Sequence, residues 1–167
     1  AIAEHKIDSN LSIKLTSLGL KIDKQFCLEN TNTIVETAKK SNNFVRIDME
    51  DRTCTDDTLE IYRTMRSRYE KVGIVIQAYL HRSEHDIRNL VAEKANVRLC
   101  KGIYVEPADV AIKDRKGIQD NYLKLLRILI EGGSYVGIAT HDDVLINGAK
   151  KMIAELDKEK NKTERAD

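Results

Sequence analysis

An α/β fold, a partial (βα)8 TIM barrel of about five parallel strands alternating with helices, is what this sequence predicts. Two observations carry that expectation. Five short apolar runs recur at intervals of about 23 to 39 residues, the length of one βα unit, with helical periodicity between them. Each run then gives way to a polar or charged side chain. A row of functional groups at the carboxyl ends of parallel strands is where open α/β sheets and barrels keep their chemistry.

The first run, Ser12-Ile13-Lys14, passes into Leu15-Thr16. Asp23 is placed to cap a helix reaching about Lys40. The second run, Phe44-Val45-Arg46-Ile47, follows the turn residues Asn42-Asn43 and stops on Asp48. Thr55 or Asp56 then caps a helix whose face carries Leu59, Tyr62, Met65 and Tyr69. After Gly73 the third run, Ile74-Val75-Ile76, stops on Gln77. Ser83 with Asp86 has the form of a capping box and opens a helix containing Ile87, Leu90 and Val91. The fourth run, Val97-Arg98-Leu99-Cys100, stops on Lys101-Gly102. A long connection follows, holding the sole proline, Pro107; long loops at this end of a strand often carry function. Tyr122, Leu125, Leu126 and Leu129 mark the fourth helix, which ends at Gly132. The fifth run, Val136-Gly137-Ile138-Ala139, stops on Thr140-His141, and a fifth helix carries Val144, Leu145, Gly148 and Met152.

The runs at 44–47 and 74–76 are rich in Val, Ile and Phe rather than alternating, as in strands buried on both faces of a parallel sheet. Five βα units fall short of the eight that close a barrel, which typically takes about 250 residues. A flavodoxin-like or Rossmann-type sheet could be complete at five strands. A Rossmann-type sheet should show a glycine-rich turn after an early strand, however, and no turn here fits GxGxxG. The partial barrel is therefore the leading expectation, and strand order is the discriminator. Residues 1–156 form the barrel domain, and 157–167, nearly all charged or polar, read as a flexible tail. The chain begins with Ala rather than Met, as a processed, excised or incomplete chain would.

With 167 residues there is enough chain for one domain with a real core. A formal net charge of +1 gives no bulk electrostatic case for nucleic acid or an anionic membrane. Neither a membrane-length apolar stretch nor a signal-like segment is present, so a cytoplasmic chain is the expectation. Cys27, Cys54 and Cys100 lack ligand spacing and read as reduced thiols, and the four histidines form no metal motif.

The strand-end residues are the candidates for chemistry. Asp48, with Glu50 and Asp51 close behind, suits metal binding, acid/base work or the acidic start of a helix. Lys14 and Arg98 sit inside strand patterns and each needs a partner, either a counterion in an ion pair that holds the sheet together or an anionic ligand or cofactor ring in the barrel lumen. Lys101 is expected beside Asp48, Gly102 lets the backbone turn close to a ligand, and Tyr104 either stacks on substrate or covers an edge. Gln77 must be hydrogen-bonded if buried, which the edge of a heteroaromatic ring could do. His141 is a base, a cofactor contact or a packing residue, and Asp142 reads as a helix cap. The set is cationic and amide-rich, better suited to binding an anionic cofactor or carboxylate substrate for electron transfer than to hydrolysis.

Five ordered segments carry a resemblance: Ser12-Ile13-Lys14-Leu15-Thr16, Val45-Arg46-Ile47-Asp48-Met49-Glu50, Val75-Ile76-Gln77-Ala78-Tyr79, Arg98-Leu99-Cys100-Lys101-Gly102-Ile103-Tyr104 and Ile138-Ala139-Thr140-His141-Asp142. In that order they resemble strand motifs of the FAD-dependent proline dehydrogenases, closest to the short monofunctional bacterial type. The resemblance implies a distorted (βα)8 barrel that oxidises L-proline to pyrroline-5-carboxylate by hydride transfer to FAD. A quinone then accepts the electrons at the membrane surface. It implies that Gln77, Arg98, Lys101, Thr140 and His141 contact the FAD. Asp48, Lys101 and Tyr104 would border the reacting proline, and Lys14 would join the charged network beneath it. Ile103 departs from the family's usual small residue. The resemblance covers the second to sixth strands of such a barrel. The family's last helix, with the arginine pair that clamps the substrate carboxylate, has no match here. That implies an impaired isolated chain, or a non-catalytic module that at most binds a ligand or self-associates through open sheet edges.

Overall fold

Strand order settles the choice between the two architectures. The structure, a computed structural model describing Ile2 and residues 4–163, contains one five-stranded sheet in which all neighbours are parallel. Its strands are β1 (Leu11–Ile13), β2 (Val45–Ile47), β3 (Val72–Gln77), β4 (Val97–Cys100) and β5 (Val136–Ala139), in the spatial order β1-β2-β3-β4-β5. A flavodoxin-like sheet would place its second strand outside the first, so that alternative is excluded. The helices α1 (Lys24–Lys40), α2 (Thr55–Arg68), α3 (Ser83–Ala92), α4 (Arg115–Glu131) and α5 (Asp143–Thr163) follow the strands in turn. Residues 157–163, read from the sequence as the start of the tail, continue α5; residues 164–167 lie outside the described residues.

Side-chain alternation divides the sheet into two faces. One carries Leu11, Ile13, Val45, Ile47, Val72, Ile74, Ile76, Val97 and Leu99 in a single apolar core with the buried faces of the helices. The opposite face carries Ser12, Arg46, Val75, Gln77, Arg98 and Cys100, with Gly73 and Gly137 between them in register. β2 and β3 are buried throughout, whereas β1 and β5 are only partly covered.

The polar face is concave. Arg98 on β4 reaches Ser12 on β1, its Nη2 lying 3.5 Å from Ser12 Oγ. On a flat sheet three strand spacings would separate those strands by about 14 Å, too far for these two side chains to meet. The sheet is therefore curled into an arc, as part of a barrel requires. Deep in the arc, Arg46 is buried over the Phe44 ring and donates to the Ile74 and Asn96 carbonyls at 3.1 and 2.8 Å and to Asn96 Oδ1 at 2.5 Å. Burial pulls its guanidinium down to about 10.

Two helix starts differ from the sequence-based expectation. Asp23 does cap α1, accepting from Phe26 N at 2.7 Å. The expected cap at Thr55 or Asp56 is displaced: Asp51 caps a short 3-10 turn over Arg52–Cys54, and that turn runs straight into α2. No capping box forms at Ser83 either. Its hydroxyl donates back to the Gln77 carbonyl, and Asp86 binds Arg82 at 2.7 and 3.1 Å, because an arginine one turn earlier is the stronger partner. On α5, Leu145 and Met152 are buried as expected, but Val144 is 54% exposed.

Candidate active site at the strand ends

The carboxyl ends of the strands converge on the concave face. Asp48, one residue past β2, is fixed by its own backbone, whose N–H donates to Ile13 O at 2.9 Å. Its Oδ1 accepts from Ser12 Oγ at 2.8 Å and from the Arg98 guanidinium. Three strands thus share one ion pair, and Arg98 meets the requirement that a strand cation have a partner. Beside the pair lies a cavity of about 280 Å³, lined among others by Lys14, Asp48, Gln77, Arg98 and Tyr104.

Gln77 ends β3 with 2% exposure. Its Nε2 is 3.5 Å from Met49 O, while its Oε1 is buried with no hydrogen-bond partner among the described residues. A buried amide oxygen left open is costly unless something donates to it. Cys100 also lines the cavity, and burial pushes its thiol up to about 11, so it is not a ready thiolate.

Several expected placements differ. Lys14 lies one residue beyond β1 and is exposed, with its side chain at the cavity rather than inside the sheet. Lys101 does not stand beside Asp48. Its ammonium turns the other way, to Asp142 Oδ2 at 3.2 Å, because Arg98 already occupies Asp48. Asp142 was expected to cap a helix, and its Oδ1 does accept from Val144 N at 3.1 Å. The same carboxylate, 1% exposed, also accepts from Gln119 Nε2 at 3.0 and 3.1 Å and from Arg115 at 3.3 Å. The Gln119 amide, then Lys101 and Arg115, hold this carboxyl down to about 2. Thr140 Oγ1 accepts from Asp142 N at 3.1 Å, and His141 is exposed at the end of β5.

The neighbouring carboxylates have separate duties. Glu50 is buried and accepts from Thr16 N and Oγ1 at 2.9 and 2.6 Å. Asp51 caps its turn and pairs with Lys21 at 2.7 Å. Among the described residues no group of three or more His, Cys, Asp or Glu could hold a metal ion.

The connection after β4 closes over this end. Gly102 has φ +115°, a conformation that favours glycine, and a Cβ there would lie 2.2 Å from the Tyr79 ring. Beyond it the chain is laced to the loop after β3: Ile112 N donates to Tyr79 O at 2.8 Å and His81 N to Val110 O at 3.0 Å. Glu106, a residue the sequence reading passed over, is buried beneath this strap. It accepts from Arg52 N at 2.8 Å and pairs with Arg52 Nε at 3.4 Å. Tyr104 is half-buried at the cavity, whereas Ile103 is 85% exposed, so its extra bulk stands in solvent at the rim.

A protein-family model described as "Proline dehydrogenase" matches residues 2–166. The chain belongs to the proline dehydrogenase family. Proline dehydrogenase 1 of Bacillus subtilis subsp. natto is 43% identical over 155 residues, 93% of this chain and 51% of that protein. The proline dehydrogenase of Deinococcus radiodurans is 38% identical over 148 residues, 86% of this chain and 48% of its own length. The chain thus spans about half the length of the curated relatives it matches. Among solved structures, proline utilization A (PutA) from Bdellovibrio bacteriovorus, inactivated by N-propargylglycine, superposes with a TM-score of 0.74. The sequences are 26% identical, and the match covers 86% of this chain and 18% of that one. A second PutA structure, with proline bound in remote sites, has a TM-score of 0.76 at 18% identity and adds support for the fold alone. Among the described residues no helix is long and apolar enough to cross a membrane.

Proposed function

We propose that this chain carries the cofactor-facing part of an enzyme that oxidises L-proline to pyrroline-5-carboxylate with FAD, the first step of proline catabolism. The observation that carries the reading is the Arg98–Asp48 pair across the concave face, set beside the open Gln77 Oε1 in a chain of this family. The donor set fits a flavin ring, whose edge offers both an N–H and carbonyl oxygens. Gln77 Oε1 is the acceptor for the first, and Arg98 and the Gln77 amide are donors for the second. Bound FAD would supply the acceptor for a hydride from the substrate ring.

The remaining work belongs to the protein's own side chains. Arg98 stabilises negative charge developing on the ring, in a cavity where partial exclusion of water strengthens the effect. Asp48 and Ser12 keep the guanidinium aimed. Lys14 is the cation at the cavity available to a substrate carboxylate, and Tyr104 covers the substrate. Lys101, Thr140 and His141 serve the cofactor along the ends of β4 and β5. Electrons then leave to a quinone, with the protein in the cytoplasm and peripheral to the inner membrane face during that step.

A second reading is a non-catalytic module that binds a ligand or self-associates. The partly covered outer strands β1 and β5 favour it. The visible absorption spectrum of the purified chain, taken with FAD and then with L-proline, separates the two. A bound flavin that bleaches on adding proline supports the first reading. Failure to retain flavin would overturn it for this chain and leave the second.

A further inference from the structure

Asp142 has more donors than a helix cap needs. Capping uses one side-chain oxygen on one backbone N–H, and asparagine does it as well as aspartate. Here Oδ1 caps Val144 N while Gln119 Nε2 donates to both oxygens, and the cations of Lys101 and Arg115 converge on Oδ2. These donors come from three places in the chain: the residue after β4, the first two turns of α4 and the start of α5. The carboxylate is almost wholly buried, at 1% exposure, while Lys101 and Arg115 keep 40% and 77% of their side chains in solvent. Burying a charge is costly without such partners, so neutral capping alone does not account for a carboxylate in this position.

We propose that Asp142 is a positioning residue that holds the Lys101 and Arg115 cations at fixed places on the rim of the strand-end site. It acts through Lys101, and its functional consequence rests on the reading above that Lys101 serves the site. Gln119 is the second member of the device: its amide fixes the rotamer of the carboxylate, which in turn sets where the ammonium stands.

Residue-resolved acylation tests this in the whole 167-residue chain without any cofactor. An amine-reactive acetylating reagent is applied briefly, and each lysine is read by peptide mass spectrometry, with exposed Lys150 as the internal reference. Asp142→Asn keeps an oxygen to cap Val144 but removes the charge, and is expected to speed Lys101 acylation about threefold relative to Lys150, the scale of a partly exposed ion pair. An unchanged ratio in the folded variant would overturn the proposal. If Asp142→Asn does not fold, Gln119→Met keeps the charge, frees the carboxylate, and is expected to move the ratio in the same direction by less. An unchanged ratio there would likewise count against it. FAD affinity gives the second readout: Asp142→Asn should weaken it severalfold, but not when Lys101→Met is already present. If the parent chain binds no FAD, the proposed function fails, while the acylation ratio still decides the role of Asp142.

Discussion

At Gly102 the backbone turn and the Tyr79 ring leave no room for a side chain. Two costs add in Gly102→Ala. The positive φ disfavours any L-residue, and the new methyl must displace a ring that is itself buried. A loss of about 2 to 4 kcal/mol is expected, read as a drop in the denaturant midpoint with an unchanged slope. A near-neutral result would show that Tyr79 can move and that the strap after β4 is less tightly held than its hydrogen bonds indicate. The residues around this turn also show what a sequence can reveal of a site. Asp48, Gln77 and Arg98 were legible because each interrupts or ends an apolar strand, where a polar group needs a reason. The partner of each was not. Lys101 is the counterion the sequence suggests for Asp48, and the curl of the sheet, which brings Arg98 of β4 within reach of Ser12 and Asp48, gives that place to Arg98 instead. Glu106 carried no signal, since an acid beside a proline in a loop looks like solvent-facing chain until Arg52 is seen beneath it.

Helix starts in this fold are set by the strand-to-helix turns as much as by the helices themselves. α4 begins after the longest connection, with Asp114 accepting from Gly117 N at 2.7 Å and Tyr122 donating to Leu99 O at 2.9 Å. Capping therefore starts the element that carries Arg115 and Gln119 to Asp142. Asp114→Ala is expected to cost about 1 kcal/mol and to raise amide exchange in the first turn of α4 before anywhere else. Exchange rising equally across the molecule would mean that the cap stabilises only the global fold. The strands and helices themselves were readable because apolar period and turn residues agree at most boundaries, although Gly73, expected to precede the third strand, lies inside β3. The start of α2 and the capping box at Ser83 differ from expectation because residues just outside the helical pattern intervene: Asp51 caps the 3-10 turn that leads into α2, and Arg82 takes the Asp86 carboxylate.

Across the whole molecule the curled sheet brings Lys14, Asp48, Gln77 and Arg98 around one cavity, with β1 and β5 as the outer strands of the arc. Parallel strands are ordinarily covered on both faces and have neighbours on both edges. β2 and β3 meet that condition; β1 and β5 are partly covered and, among the described residues, each has a strand neighbour on one edge alone, which makes the other edge a template for further pairing. The isolated chain is therefore expected to self-associate, with a light-scattering mass that rises above the 19.0 kDa of one copy as concentration increases. A formal net charge of only +1 leaves little long-range repulsion to oppose this. Because edge pairing depends on backbone hydrogen bonds rather than charge, added salt should not reverse it, whereas association through the exposed ion pairs would weaken as salt screens them. A mass that stays at one copy over the whole concentration range would show that the edges are not available, and that the arc is stable as a monomer with its concave face open to ligands.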